Sequence, residues 1–293
     1  MDRQQRFGVA RTDVGEKEKH YYMTSMKILY SELFEAFKEK AFRWNKKQCT
    51  WNDFCHFVAM KGSQYDTSKL KFMVIGRATN GWHKITDESD IGEEAQKQFN
   101  CADGFDSWIV VNKYGNLRNN EKNEKTQKSY YLNRSSFWRT TKCVYMELSK
   151  IKDANWVQHI AWSNLYKIAP NESEDVAAGN PNRKMVRTQM EICKEILGEE
   201  INVYSPDYIL FVTGWEWWFA GDKKTPGFDK ILSGVKQESG NEFVVGKGIC
   251  KLNDKNVKIV VTQRPEGKKE NNYVNEILKC FNELEKSSYN QKG

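Results

Sequence analysis

Apolar positions in this chain fall into two alternating patterns, and the alternation predicts the fold. From Tyr21 to about Trp44, Met26, Leu29, Tyr30, Leu33, Phe34 and Phe37 recur at spacings of three and four, which predicts an amphipathic helix. The stretch from Trp51 to Gly62, WNDFCHFVAMKG, reads as a second, short helix. Leu70 to Ile75, LKFMVI, is instead a continuous apolar run closed by Gly76, the form of a strand buried on both faces of a parallel sheet. The same form returns at His159 to Trp162, in PDYILFVTG from Pro206 to Gly214, and in VKIVVT from Val257 to Thr262. Between and after these runs, helical patterns cover Asp87 to Gly104 with loops, Tyr130 to Lys150, Met185 to about Leu197, and Tyr273 to about Leu284. Trp108 to Val111 suits a strand or edge segment, and WEWWFA after Gly214 suits an aromatic helical turn.

The remaining stretches are polar. Tyr114 to Lys128 is expected to be an exposed, mobile loop, NESEDVAAGNPNR a second loop, and Gly221 to Gly248 shows little period. Strands interleaved with helices predict an α/β fold: a three-layer α/β/α arrangement around a mostly parallel sheet of about four strands. No repeat or flexible linker divides the chain, so residues 1–293 are read as one domain, with residues 1–20 a loosely held charged arm.

Composition narrows the class. Hydrophobic residues at 39% and charged residues at 29% are those of a globular protein, and no apolar run approaches the roughly 20 residues that span a bilayer. The charged amino-terminal stretch has no apolar core, so no secretory signal is expected and a cytoplasmic monomer is implied. Seven scattered cysteines without a CxxC pair support neither a disulfide framework nor a metal knuckle. A net charge of +7 permits a polyanionic partner without requiring one. The ten Trp are more unusual; most should pack in the core, and some could line a groove.

Candidate chemistry gathers where strands end, because ligands of open parallel sheets bind outside the carboxyl ends of strands. In QHIAWSNLYKIAP, Asn164 and Lys167 follow a strand; a carboxamide matches the donor and acceptor edge of a nucleobase, though it could equally cap a turn. The turn Gly76-Arg77-Ala78-Thr79-Asn80-Gly81-Trp82-His83 is bracketed by glycines and offers Arg77, Asn80 and Trp82. Gln263-Arg264-Pro265-Glu266-Gly267-Lys268 follows the last strand, and Phe137, Trp138 and Arg139 open a helix whose amides and cation could face an anion. The plainer alternative is a core role for Phe137 and Trp138, an exposed charge at Arg139, and a surface ion pair between Arg264 and Glu266 worth about 0–1 kcal/mol.

The order of these segments, a strand then GRATNGW, a strand then SNLYK and NPNR, PDYILFVTG, and a strand then QRPEG, resembles the uracil-DNA glycosylase superfamily. The likeness covers roughly Leu70 to Glu283 and is strongest from Ile160 to Gly214, where it is similar to the iron–sulfur branch. The resemblance implies that Asn164 binds the base edge. It also exposes departures: Ala78 stands where many members carry the Asp or Asn that positions water, Arg264-Pro265 replaces the usual His-Pro, and the branch's cluster cysteines are unmatched. No metal and no cofactor are therefore expected. What the resemblance implies is a DNA glycosylase acting on a flipped modified or damaged pyrimidine, in base-excision repair or in defence against phage whose DNA carries altered bases. In that scheme Asn164 reads the base edge, Trp82 stacks on the ring, Arg77 and Ala78 complete the base pocket, and Arg264 stabilises charge on the departing base. Asn80, then Glu266, are candidates to hold the water, and Lys167, Arg139 and Lys268 to meet DNA phosphates. Two alternatives remain open: an inactive nucleic-acid or nucleotide binding module, and an enzyme acting on a small nucleotide.

Overall fold

The computed structural model describes residues 25–40, 51–78, 83–84, 92–93, 95, 105, 109–111, 117–122, 129–151, 155–171, 179–219, 227–252 and 255–290. Helix α1, residues 25–40, buries all six of its periodic apolar side chains, none more than 8% exposed. Each such burial contributes about 1.5–3 kcal/mol. The stretch after Trp51 is not the expected helix. It forms a 3-10 turn, Trp51–Asp53, and then strands β1 (Phe54–His56) and β2 (Met60–Lys61). A short apolar run has no decisive period, and here backbone partners settle it: β1 pairs with β9 (Ile168–Pro170), and β2 with β8 (Ile160–Tyr166).

Four strands are parallel: β3 (Phe72–Ala78), β8, β10 (Tyr208–Phe211) and β13 (Lys255–Thr262). All seven residues of β8 are buried, as expected for a strand covered on both faces. The sheet is larger than these four and mixed. Seven strands run in the order β11-β12-β13-β10-β3-β8-β2, with β11 (Val235–Gln237), β12 (Val244–Leu252) and β2 antiparallel to their neighbours. Strand β11 and the first half of β12 lie in the stretch that showed little period. Glycine explains why: a side chain at Gly246 would meet the Trp215 ring at 2.6 Å, so positions that would have marked the alternation must stay bare.

Two small sheets flank the large one. One joins β4 (His83–Lys84), β1 and β9; the other joins β5 (Ile109–Val111), β6 (Leu117–Lys122) and β7 (Ser129–Tyr131). Strand β6 falls inside the polar stretch expected to be a mobile loop. Main-chain pairing on both of its edges holds it, and that pairing does not need apolar side chains. Helix α2 (Ser136–Ser149) links β3 to β8, α3 (Arg183–Tyr204) links β8 to β10, and α4 (Glu270–Asn290) follows β13. The first link steps one way along the sheet and the second steps back. Right-handed crossovers then place α2 and α3 on opposite faces, and they do lie in different cores, α2 with α4 and α3 with α1. No helix among the described residues is long and apolar enough to cross a membrane.

At the end of β8 the backbone turns on Lys167, and the sequence reading of this residue is corrected. Expected on a DNA-facing surface, Lys167 is 0% exposed and cannot meet a phosphate. Its Nζ lies 2.7 Å from Oε1 of Glu200, also 0% exposed on α3, and donates to Glu200 Oε2 at 2.8 Å, to Ser163 Oγ at 2.7 Å and to the Asn164 carbonyl at 2.8 Å. Gln189 on α3 completes the turn. Its Oε1 accepts from the amides of Lys167 and Ile168, and its Nε2 donates to the Ile168 carbonyl.

Burial pushes the Glu200 carboxyl above the usual carboxylate range, while Lys167 and Ser163 pull it back. A carboxyl raised in the folded state contributes stability that is full below its ordinary range and declines as pH rises through the raised value. Lys167→Met should cost about 3–5 kcal/mol in urea unfolding, because Glu200 is left buried without its cation. The loss should be smaller at pH 5 than at pH 8, since a protonated Glu200 needs no partner; an equal loss at both would show that the pair is not what holds the turn.

Candidate functional site

Counted along the chain, the four parallel strands stand in the spatial order 2-1-3-4. The direction of winding therefore reverses at β3, between β8 and β10, and a crevice opens there at the carboxyl ends. Three of these ends carry the expected polar residues. Arg77 lies at the end of β3, Asn164 on β8 directly beside Gly76, and Gln263 to Lys268 after β13.

Arg77, Gln263, Arg264, Glu266 and Lys268 line one open cleft of about 420 Å3. Arg77 is held firmly: Nε donates to the Thr213 carbonyl, Nη2 lies 3.2 Å from Glu216, and the guanidinium sits 4.9 Å from the Trp217 ring centre. Burial and the nearby Arg264 lower its pKa, while Glu216 and Glu266 oppose that shift. Arg264 pairs with Glu266, both about half exposed. The loop carrying them is braced by Tyr273 of α4, whose hydroxyl donates to the Gln263 carbonyl and stands 2.6 Å from Thr262 Oγ1. Gly214, at the matching end of β10, has φ 79°, a left-handed conformation that glycine adopts without strain, and its amide reaches the Thr262 carbonyl at 2.8 Å.

Asn164 stands behind this cleft and not among its lining residues. It lies within β8, which continues past it to Tyr166, and is 2% exposed. Its Nδ2 is buried without a hydrogen-bond partner among the described residues. Its Oδ1 occupies the space that a side chain at Gly76 would take, and Phe137 Cε2 comes within 3.7 Å of the same point. An orphaned buried N–H costs about 1–3 kcal/mol. That cost falls on a carboxamide inside β8, beside Gly76 and near the carboxyl end of the strand.

The other expected site residues divide. Ala78 is half-buried at the end of β3 opposite Tyr166, with no carboxylate in its place. Asn80 and Trp82 lie outside the described residues. Arg139 is engaged within the protein: Nε donates to Glu270 at 2.7 Å, and Nη1 donates to the carbonyls of Asn133 and Arg134. Lys268 does reach the cleft, with Glu242 3.8 Å away. Trp138, 5% exposed, packs edge-on against Trp162 at 4.9 Å, so it is a core ring.

Thr213, Trp217, Glu216 and Tyr273 were not anticipated. The Gly214 turn and the aromatic cluster after it were visible in the sequence, but not their closure over Arg77. Among the described residues no group of three His, Cys, Asp or Glu could hold a metal ion. The five described cysteines are free, and burial pushes the Cys193 thiol up to about 12. A scan against protein-family models finds no match, and a comparison with curated proteins finds none either.

Contact between Gly76 and Asn164 is testable on stability alone. Gly76→Ala should cost about 1–3 kcal/mol, since the new methyl overlaps Asn164 Oδ1. Asn164→Ala in the same chain should recover most of that loss, whereas additive losses in the double variant would place the strain elsewhere.

Proposed function

We propose that the protein is a monofunctional DNA glycosylase of the uracil-DNA glycosylase type, with the three-layer α/β/α plan of that superfamily. It cleaves the N-glycosidic bond of a flipped modified or damaged pyrimidine and leaves an abasic site. The observation that carries this reading is the buried Asn164 amide, unpaired at Nδ2 and fitted against side-chain-free Gly76, one residue from the cationic cleft at the switch point of the sheet. A pyrimidine carrying an acceptor at C4 would satisfy the free N–H.

In the reaction the bond between C1′ and the base nitrogen breaks, and its electron pair passes to the base. Water oxygen then bonds to C1′, and the water proton ends on the base. Arg264 and Arg77 supply positive charge where the departing base becomes negative, an electrostatic contribution that grows once DNA closes the cleft and excludes water. Phe137, whose Cε2 lies 3.7 Å from the point a side chain at Gly76 would occupy, is a second ring that can stack on the base beside Trp82. Glu266 is the carboxylate that lines the cleft, and it holds the water once substrate displaces it from Arg264. Flipping the nucleotide costs a few kcal/mol, which contacts to backbone and base must offset.

Oligonucleotides containing deaminated, oxidised, alkylated and 5-substituted pyrimidines, single and double stranded, should yield free base by mass and alkali-labile sites for at least one substrate. Asn164→Ala and Arg264→Ala should each lower that rate by about 100-fold or more, while urea unfolding changes by no more than about 2 kcal/mol. Absence of base release across the panel, with DNA still bound, would leave a binding module and remove the enzyme.

A further inference from the structure

The small sheet β5-β6-β7 is inserted in the chain between the carboxyl end of β3 and the start of α2, so both ends of the insertion are tied to the rim that carries the cleft. Its central strand is anomalous. An antiparallel sheet that packs one face on a core alternates apolar and polar residues along its strands. Strand β6 reads Leu117-Arg118-Asn119-Asn120-Glu121-Lys122, one apolar residue in six, yet it is paired on both edges. Burial of its own side chains does not account for a strand of this composition.

The register shows which face is turned away from the core. Ile109 on β5 is 5% exposed and belongs to the core beneath α2 and α4, so it marks the inner face, and it stands opposite Asn119. Arg118, one residue away, falls on the outer face, between Val110 on β5 and Tyr131 on β7. Tyr131 is half-buried and belongs to neither hydrophobic core. The chain then turns through Leu132–Arg134, and exposed Arg134 sits over the Tyr131 ring, 5.4 Å from its centre.

Arg134 also connects this face to the cleft. It lines a concavity of about 250 Å3 together with Glu266 and Lys268, and those two line the cleft as well. Cations therefore form a track, from Arg77 and Arg264 through Lys268 and Arg134 to position 118. The carboxylates along it are engaged, Glu266 by Arg264 and Glu270 by Arg139 at 2.7 Å. A small anion would occupy one point of such a track. A line of like charge running from a cleft onto a sheet matches instead a chain of regularly repeated negative charges.

We infer that the outer face of β5-β6-β7 is a docking surface for the DNA that flanks the target nucleotide. The inference rests on the reading that DNA is the substrate, and it adds which part of the chain carries the flank. Arg118 and Arg134 meet backbone phosphates, and the Tyr131 ring fixes where Arg134 stands. The sheet lies to one side of the cleft, so it supports one flank and not the other. A polar central strand follows from this, since its outer face meets nucleic acid and not a core.

The test reads binding, not base release. Affinity of the full chain for an oligonucleotide with a central abasic-site analogue is measured by fluorescence anisotropy across a salt series, as nucleotides are trimmed from either end. Wild-type affinity should fall steeply when one flank is shortened and little when the other is. Arg118→Ala and Arg134→Ala should each weaken binding about threefold to tenfold, reduce the salt slope by about 1 and abolish the difference between flanks. Lys236→Ala removes the same charge from exposed edge strand β11 and should leave slope and flank dependence as in wild type. Thermal midpoints identify any variant that has lost its fold, and the two arginines test the face independently. Wild-type salt slopes in folded Arg118→Ala and Arg134→Ala, or an equal loss in Lys236→Ala, overturn the surface. Tighter binding of an RNA strand of the same sequence overturns the assignment to DNA. One-sided flank binding without base release from any substrate would leave the surface standing and remove the glycosylase; base release with both flanks equivalent would do the reverse.

Discussion

Lys167 and Glu200 form a buried ion pair, and the placement of Asn164 depends on it. Removing two charges from water costs several kcal/mol each, and only close geometry with further hydrogen bonds repays it. Here those bonds go to Ser163 Oγ and the Asn164 carbonyl, so the ammonium grips β8 at two successive residues while its partner is anchored in α3. The consequence is positional. Along a strand, side chains alternate between faces, and slippage by one residue exchanges them. With Ser163 bonded to Glu200 at 2.6 Å, Ser163 must face α3 and Asn164 must face Gly76 and Phe137 on the other side. A slipped register would leave Glu200 facing a carboxamide that cannot neutralise it.

The same pair accounts for the sharp end of the strand. Lys167 interrupts β8, and β9 turns away to a different sheet with β1. Gln189 closes that turn by accepting two amides, so the backbone beside Asn164 is fixed by side chains of α3 and not by the loop itself. A rigid support of this kind suits a residue that must meet a flat ring with one face of its amide. Gly76 serves the same end from β3, by having no side chain where Asn164 Oδ1 lies.

The legible parts of the fold and site share one property. Strands β3, β8, β10 and β13 were readable because burial on both faces leaves an unbroken apolar run, and the positions after them because Gly76, Gly214 and Pro265 punctuate the chain. Edge strand β11 and its neighbour β12, with one wet face and glycines at close approaches, leave no such trace. Strand β1 was mistaken for helix because a short apolar run carries no period. Lys167 shows the limit most clearly. A lysine in a strand-end segment reads as surface charge, and the fact that reverses this, Glu200, lies 33 residues away in a helix whose turns bring it underneath. The place of Phe137 was open for the same reason, since whether a ring faces its own helix, the core or a cavity is decided by neighbours distant in sequence.

Charge in the cleft obeys a related logic. Arg264 is close enough to disfavour the charge on Arg77, yet the two line one concavity. Glu216 and Glu266 relieve that repulsion in different ways. Glu216 joins Trp217 and the Thr213 carbonyl in a fixed frame around Arg77, so that guanidinium is oriented before any ligand arrives. Glu266 is half exposed, two residues from Arg264 on one loop, and flanked by Gly267 at φ 75°. An exposed pair of this kind contributes about 0–1 kcal/mol, so an arriving anion can take its place at little cost. One arginine is thus pre-positioned and the other held by a carboxylate that can leave it. A cleft built in this way is stable when empty, and Arg264 is released from Glu266 only when a negative group enters.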